Sequence, residues 1–349
     1  MFKLSVAMII KNEELTLDRI LSQCSQFADE IIIVDTGSKD CSIDIAKKYT
    51  DKVYTFPWQD DFALARNFSF SKATMDFVMW LDADDTIDYN NIKQLQELKK
   101  TPNPADVYML KYQIGDNFVF YRERILKRKN NYLWSGAVHE VITPSGDIKH
   151  LDITIKHDKL KAGNPKRNLN IYRKLLKNGI HLNPREQHYY ARELYYNGYF
   201  KKCITEFKKH IKSCDPYPPN TLGSYIMMSD AYTHEKDYNN AIKYLIKSLK
   251  HFIPTAEVCC KLATAFEKLN KTNLAIFWYE NALLCPKQTQ GFVDKDYEGF
   301  IPCLELCRLY YHINKTISFK FYIQAKEYKP NHPSIKFNAQ FFTDEALNK

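Results

Sequence analysis

Glycine is scarce in this chain, at 10 of 349 residues, which leaves little material for tight turns or glycine-rich phosphate cradles. The nine cysteines are odd in number and none stands in a C-x-x-C pair, so the sequence supports neither a disulfide framework nor a zinc site and fits a reducing compartment. No apolar run reaches the roughly 18 residues of a membrane span. Leu4 to Ile10 is too short for a secretory signal and runs straight into Lys11, Glu13 and Glu14. There is no long block of one charge sign either. Fifty basic against 41 acidic residues leave +9, spread too evenly to call for a nucleic-acid partner, though a basic face suits an anionic substrate or an acidic protein. The composition predicts a soluble, cytoplasmic protein with no membrane span.

Bulk hydrophobic material is plentiful: 45% of residues are hydrophobic, with 24 tyrosines and 21 phenylalanines. At this length two domains are expected, because single cores seldom grow past roughly 250 to 300 residues. The first is organised around Phe77 to Ile87, FVMWLDADDTI, where an apolar run stops in three carboxylates, Asp82, Asp84 and Asp85. The run reads as a strand buried on both faces, which puts its carboxylates at a strand's C-terminal end. In an open α/β sheet ligands gather at that edge, and closely spaced carboxylates suit a hard divalent cation. The plainer alternative is a polar loop whose Asp residues cap the next helix.

Leu4–Ile10, Ile31–Val34 and Lys52–Phe56 also read as strands, alternating with helical spacing from Leu15, from Ser42 and over Phe62 to Ala73. That alternation predicts right-handed crossovers and a mainly parallel sheet. The polar clusters Lys11–Glu14, Asp35–Asp40 and Asp82–Asp85 then converge on one sheet edge. Asp35 there suits a carboxylate accepting from a base or ribose, and Arg66 at the start of a helix suits a phosphate clamp. Helix capping by Ser38 and Asp40, and an exposed Arg66–Asp60 pair, need no ligand. Val107–Ile114 and Phe118–Arg124 alternate as paired strands around Gly115-Asp116-Asn117. In Trp134-Ser135-Gly136-Ala137-Val138-His139-Glu140, the His139–Glu140 pair suits acid/base work beside a tryptophan able to stack on a sugar ring. His157 ends a further strand, Ile153 to Lys156.

Four blocks, A-M-I-I-K-N-E-E at 7–14, I-I-I-V-D-T-G-S-K-D at 31–40, D-D-F-A-L-A-R-N at 60–67 and W-L-D-A-D-D at 80–85, together resemble the family 2 glycosyltransferases with a GT-A fold. The W-x-G-x-V-H-E stretch is similar to that of family members carrying helical repeats. The resemblance implies a Rossmann-like α/β domain and metal-dependent, inverting transfer from a nucleotide sugar, a UDP-sugar being the expected donor. It places Asn12, Glu13, Asp35, Asp61 and Arg66 around the nucleotide, and Asp82, Ala83 and Asp84 as the D-x-D motif. Asp84 is the expected direct ligand of Mn²⁺ or Mg²⁺, Asp82 a ribose or metal-water partner, and His157 a candidate to complete the metal shell. Glu140 is the leading candidate for the base, with Asp85 and His139 behind it, and Trp134 is a candidate sugar platform. A nucleotidyltransferase uses similar logic but carries a glycine-rich loop where this chain has K-N-E-E.

From Arg167 onward strands disappear. Ala231, Tyr232, Ala241, Tyr244, Leu245 and Ser248 fall on Ala265, Phe266, Ala275, Trp278, Tyr279 and Ala282 at a constant shift of 34 residues, the tetratricopeptide period. An earlier unit around Tyr195, Ile204, Phe207 and Ile211 matches at 37, and Leu304–Tyr311 with Phe319–Ala325 reads as a capping pair. The expected division is therefore a GT-A domain over 1–160 and an all-α, TPR-like domain over 161–349. Such a stack either presents a surface to a protein or peptide acceptor or serves dimerisation. A catalytically inactive scaffold, and transfer to a glycan or lipid-linked acceptor, are the alternatives.

Overall fold

Leu4–Ile10 (β1) is apolar at every position but Ser5, and six of its seven side chains are buried. A strand with that composition needs cover on both faces, and it receives it at the centre of an eight-stranded sheet. The computed structural model describes residues 1–115, 118–160, 163–213, 215–288 and 294–342. It divides into Met1–Leu175 and Leu176–Lys349.

In the first unit β1 is followed by Leu17–Cys24 (α1), Glu30–Asp35 (β2), Ser42–Lys47 (α2), Val53–Thr55 (β3), Phe62–Ser71 (α3) and Phe77–Trp80 (β4). Then come Asp85–Thr86 (β5), Tyr89–Leu98 (α4), Val107–Ile114 (β6), Phe118–Lys127 (β7), the short pair Trp134–Ser135 (β8) and Val141–Ile142 (β9), Ile148–His157 (β10) and Arg167–Lys177 (α5). The sheet order is β3-β2-β1-β4-β7-β6-β10-β5. All strands run one way except β7 and β5, which pair antiparallel with their neighbours. This is the mainly parallel α/β sheet that the alternation of elements predicts. The antiparallel β7 pairs with β6 as far as Ile114 beside Phe118; Asp116 and Asn117, expected as turn residues, lie outside the described residues.

One sheet face packs Val6, Met8 and Met79 against Leu17, Ile20, Leu21, Ile92 and Leu95 from α1 and α4. The other packs Ala7, Val78 and Trp80 against Ala63 and Trp134. Registry brings Ile10 beside Asp35 and Ala7 beside Trp80, so the loops after β1, β2 and β4 open at one edge. His157 of β10 pairs with Asp85 of β5, which joins the far side of the sheet to that edge. The unit ends later than the expected 160. Leu169, Ile171 and Tyr172 of α5 are buried, and the Tyr172 hydroxyl reaches the Val138 carbonyl at 3.4 Å.

The described elements of the second unit are all helical: Pro184–Tyr196 (α6), Phe200–Lys212 (α7), Pro218–His234 (α8), Tyr238–Ser248 (α9), Ala256–Lys268 (α10), Thr272–Leu284 (α11), Phe300–Tyr310 (α12), Lys315–Tyr328 (α13) and Pro333–Ala339 (α14). Successive helices pair as hairpins, α6 with α7 through α12 with α13. The small residues picked out by the 34-residue period, Ala231, Ala241, Ala265, Ala275 and Ala282, are all at most 1% exposed, because only short side chains let such helices approach closely. No described helix is long and apolar enough to cross a membrane.

Candidate active site

The chain leaves β4 through a tight turn closed by Asp85 N to the Asp82 carbonyl and Asp82 N to Asp85 Oδ2, each 3.0 Å. This turn sends the three carboxylates into different surroundings. Asp85 points inward and is fully buried. Its Oδ1 accepts from the Tyr112 hydroxyl at 3.0 Å, and its Oδ2 also accepts from Arg124 Nη1 at 3.1 Å. Arg124 is itself 0% exposed; its guanidinium lies 3.6 Å from the Trp80 ring centre and 4.3 Å from that of Tyr112, and it also donates to the Trp80 carbonyl.

Asp84 points the other way. Its Oδ1 lies 3.4 Å from His157 Nδ1, a buried nitrogen 3.6 Å from Asp85 Oδ1 and without a hydrogen-bond partner among the described residues. Burial first, then the Asp82 and Asp85 carboxylates, push Asp84 above the usual carboxylate range against the pull of His157. Asp85, then Asp84, hold the His157 ring above the usual histidine range, with burial opposing them. One ligand atom from each of Asp84, Asp85 and His157 lies within 4.8 Å of the others. Crowded carboxylates facing an orphaned imidazole nitrogen form a hard-donor set that fits a divalent cation. Asp85 thus stands in the cluster where Asp82 was expected. Asp85 Oδ2 accepts two hydrogen bonds and Oδ1 one, so Asp84 and His157 have the most capacity to ligate, with a lone pair of Asp85 Oδ1 beside them. The same burial removes Asp85 as a base, since no acceptor can touch a fully enclosed carboxylate.

Asp82 belongs to a second arrangement, centred on Arg66 of α3. Arg66 donates through Nη2 to Asp82 and through Nε to Glu140, both at 2.7 Å. Its guanidinium lies 5.1 Å from the Trp80 ring centre and 4.9 Å from that of Trp134, and the residue is only 8% exposed. Against burial, Arg66 and then Arg124 hold Asp82 down to about 2. Arg66 is therefore a pin between the carboxylate turn and Glu140, not the open phosphate clamp expected. Asn67 beside it grips Trp134 through two hydrogen bonds, Nδ2 to the Trp134 carbonyl at 3.0 Å and Trp134 N to Oδ1 at 2.8 Å. Trp134 is 3% exposed and packs edge-on against Trp80 and Phe70, so its ring is core and not a platform for a sugar. His139 takes left-handed backbone (φ 54°) between Val138 and Glu140, a conformation that His tolerates better than most residues.

Residues 5–150 match the sequence profile of glycosyl transferase family 2. This segment is a family 2 glycosyl transferase domain. Residues 222–250 and 256–284 match the tetratricopeptide repeat. Similar curated proteins include a TPR repeat-containing protein of Synechococcus elongatus, 29% identical over 42% of this chain and 36% of its own length. An uncharacterized glycosyltransferase of Rickettsia typhi is 32% identical over 33% and 38%. The lipopolysaccharide core biosynthesis glycosyltransferase LpsC of Rhizobium meliloti is 29% identical over 42% and 58%. The chain thus spans little more than a third of the length of the first two. Among solved structures, S. aureus TarS is 13% identical over 84% of this chain and 94% of that one, with a TM-score of 0.38.

The remaining expected positions of the glycosyl transferase domain sit on the same edge and hold its loops together. Asp35 ends β2, and its oxygens accept from Gly37 N at 3.0 Å and Ser38 N at 3.1 Å, in a turn that needs the positive φ of Gly37. Asn12 Oδ1 accepts from Lys39 N at 2.7 Å, and Asn12 N and Glu13 N donate to Ser38 and Ser42 hydroxyls. Asp61 caps α3 by accepting from Leu64 N at 2.9 Å. The sequence reading missed Tyr112 and Arg124. An arginine at each end of Arg122-Glu123-Arg124, in a strand otherwise turning apolar, was the available signal.

Proposed function

We propose that the glycosyl transferase domain catalyses inverting transfer of a sugar from a nucleotide diphosphate sugar, a UDP-sugar in this reading, to a protein or peptide acceptor recruited by the repeat unit. The observation that carries the proposal is the Arg66 bridge, which fixes Glu140 and the D-A-D turn in one frame beside the Asp84–His157 pair. A divalent cation held by Asp84 and His157, Mn²⁺ or Mg²⁺, would supply charge neutralisation to the leaving diphosphate. Asn12, Glu13, Asp35 and Asp61 line the nucleotide side of the same edge. Glu140, oriented through Oε1 by Arg66, takes the acceptor's proton as the acceptor atom attacks the anomeric carbon from the face opposite the diphosphate. Asp85 and Arg124 touch no substrate in this scheme; they hold the turn.

The test is donor hydrolysis and binding with a panel of nucleotide sugars, each with and without Mn²⁺. One donor should be hydrolysed in a metal-dependent way, and Asp84→Ala should lower kcat on the order of 100-fold with the thermal midpoint retained. A chain that binds and hydrolyses no donor would overturn the proposal. An active Asp84→Ala protein would remove the metal assignment.

A further inference from the structure

In the repeat unit the first helices of successive pairs, α6, α8 and α10, pack on one another, while the second helices α9, α11 and α13 pack on their own first helix and on the helix that follows. Their exposed faces are unlike the inner ones. Cations of the first helices are paired: Lys261 of α10 with Asp230 at 2.9 Å and Arg308 of α12 with Glu267 at 2.7 Å. On α9, Lys243 and Lys247 are exposed, form no ion pair among the described residues, and flank Ile246, which is 42% exposed. On α13, Lys320 and Lys326 flank exposed Ile323 in the same way.

Between these helices in the stack comes α11, which carries no lysine or arginine and is apolar on almost every side. Its inner residues Ala275, Ile276, Tyr279 and Ala282 are buried, yet Phe277 is 52% and Leu284 81% exposed, with Leu274 at 42%. A helix apolar all round belongs in a covered position. The one acid of α11, Glu280, is held by the Tyr310 hydroxyl at 2.8 Å; α9 has no acid, and α13 has Glu327.

We propose that this outer face docks on an anionic lipid bilayer, with Phe277 and Leu284 entering the headgroup boundary and the lysines of α9 and α13 meeting lipid phosphates on either side. Exposed aromatic and aliphatic residues bordered by lysines that form no ion pair among the described residues, Lys247 lying 5.0 Å from the Tyr244 ring centre, are the chemistry of interfacial binding. The lysines select anionic over zwitterionic headgroups, at about fivefold in affinity for each one near the surface. A protein partner with an apolar groove would explain α11 alone, but it leaves the two lysine borders without a role. The inference is independent of the proposed catalysis.

The experiment is flotation of the full chain with vesicles of phosphatidylcholine alone and of phosphatidylcholine with phosphatidylglycerol. Binding is expected only to the anionic vesicles, and should be lost near 1 M salt, where screening acts within about 3 Å. Lys243→Glu with Lys247→Glu, and separately Phe277→Ser with Leu284→Ser, should each reduce binding at least tenfold while leaving the helical circular dichroism unchanged, since all four side chains are exposed. No flotation with anionic vesicles overturns the proposal, as does flotation that neither double variant weakens. Sedimentation velocity supplies the other arm: a dimer dissolved by the Phe277/Leu284 variant would assign the face to a second copy and overturn it too.

Discussion

Asp85 is fully buried and commits both oxygens to protein partners, whereas its neighbour Asp84 is half-buried and crowded by like charges. The two should respond oppositely to neutralisation. Asp85→Asn strands the Arg124 guanidinium without its counter-charge and should cost about 3 to 5 kcal/mol of stability, measured by urea denaturation. Asp84→Asn should leave stability unchanged or higher. A folded-state pKa raised above the unfolded one means that the ionised form is disfavoured by folding at neutral pH, so removing the charge relieves that cost. Equal losses in the two variants would contradict this division. The carboxylates themselves were legible in the sequence because they end an apolar run. Arg124 was not. It is the extra residue where β7 slips against β6, Tyr108 pairing with Ile125 but Met109 with Glu123, and a bulge re-aims a side chain in a way that strand alternation cannot anticipate.

At the scale of elements, a polar chain ties the second unit's first hairpins together. Ser224 of α8 lies 2.7 Å from His188 Nδ1 of α6 and 2.8 Å from His210 Nδ1 of α7, and His210 Nε2 lies 3.0 Å from Asp215 in the loop that follows. Asp215 accepts from His210 Nε2–H, so Nδ1 is left to accept from the Ser224 hydroxyl, and a second proton on His210 would break that chain. Burial holds His210 below the usual histidine range despite Asp215. A histidine depressed in the folded state contributes stability that is present above about pH 6.5 and is lost as pH falls toward its folded value. Asp215 is also held low, against burial, by Tyr217 N, Asn220 and His210, so its contribution is lost only at more acid pH. Thermal midpoints should therefore fall as the pH is lowered from about 6.5, and His210→Gln should flatten that fall; an unchanged slope would count against the assignment. The helix pairs were readable from the 34-residue period, which is a local pattern. The histidines were not, because they share no spacing and meet only after three helices pack.

For the whole molecule, each unit has its own apolar core. A chain ended at residue 178 keeps α5 and should retain donor hydrolysis while losing transfer to a protein acceptor; loss of hydrolysis as well would mean that the repeats do more than recruit. The sequence by itself determined the alternating elements of the glycosyl transferase domain, the sheet edge on which Asp35, Asp82 and Asp84 fall, and the 34-residue repeat of the second unit. Each of these is set by hydrophobic periodicity and turn residues within a short window. Only the tertiary structure decided that Arg66 reaches Glu140 across 74 residues of sequence while also holding Asp82, that Trp134 is core, and that Asp85 rather than Asp82 stands beside His157. Those outcomes depend on strand order, on a register slip and on which charges are enclosed together, and burial of a charge is a property of the packed molecule, not of the residue that carries it.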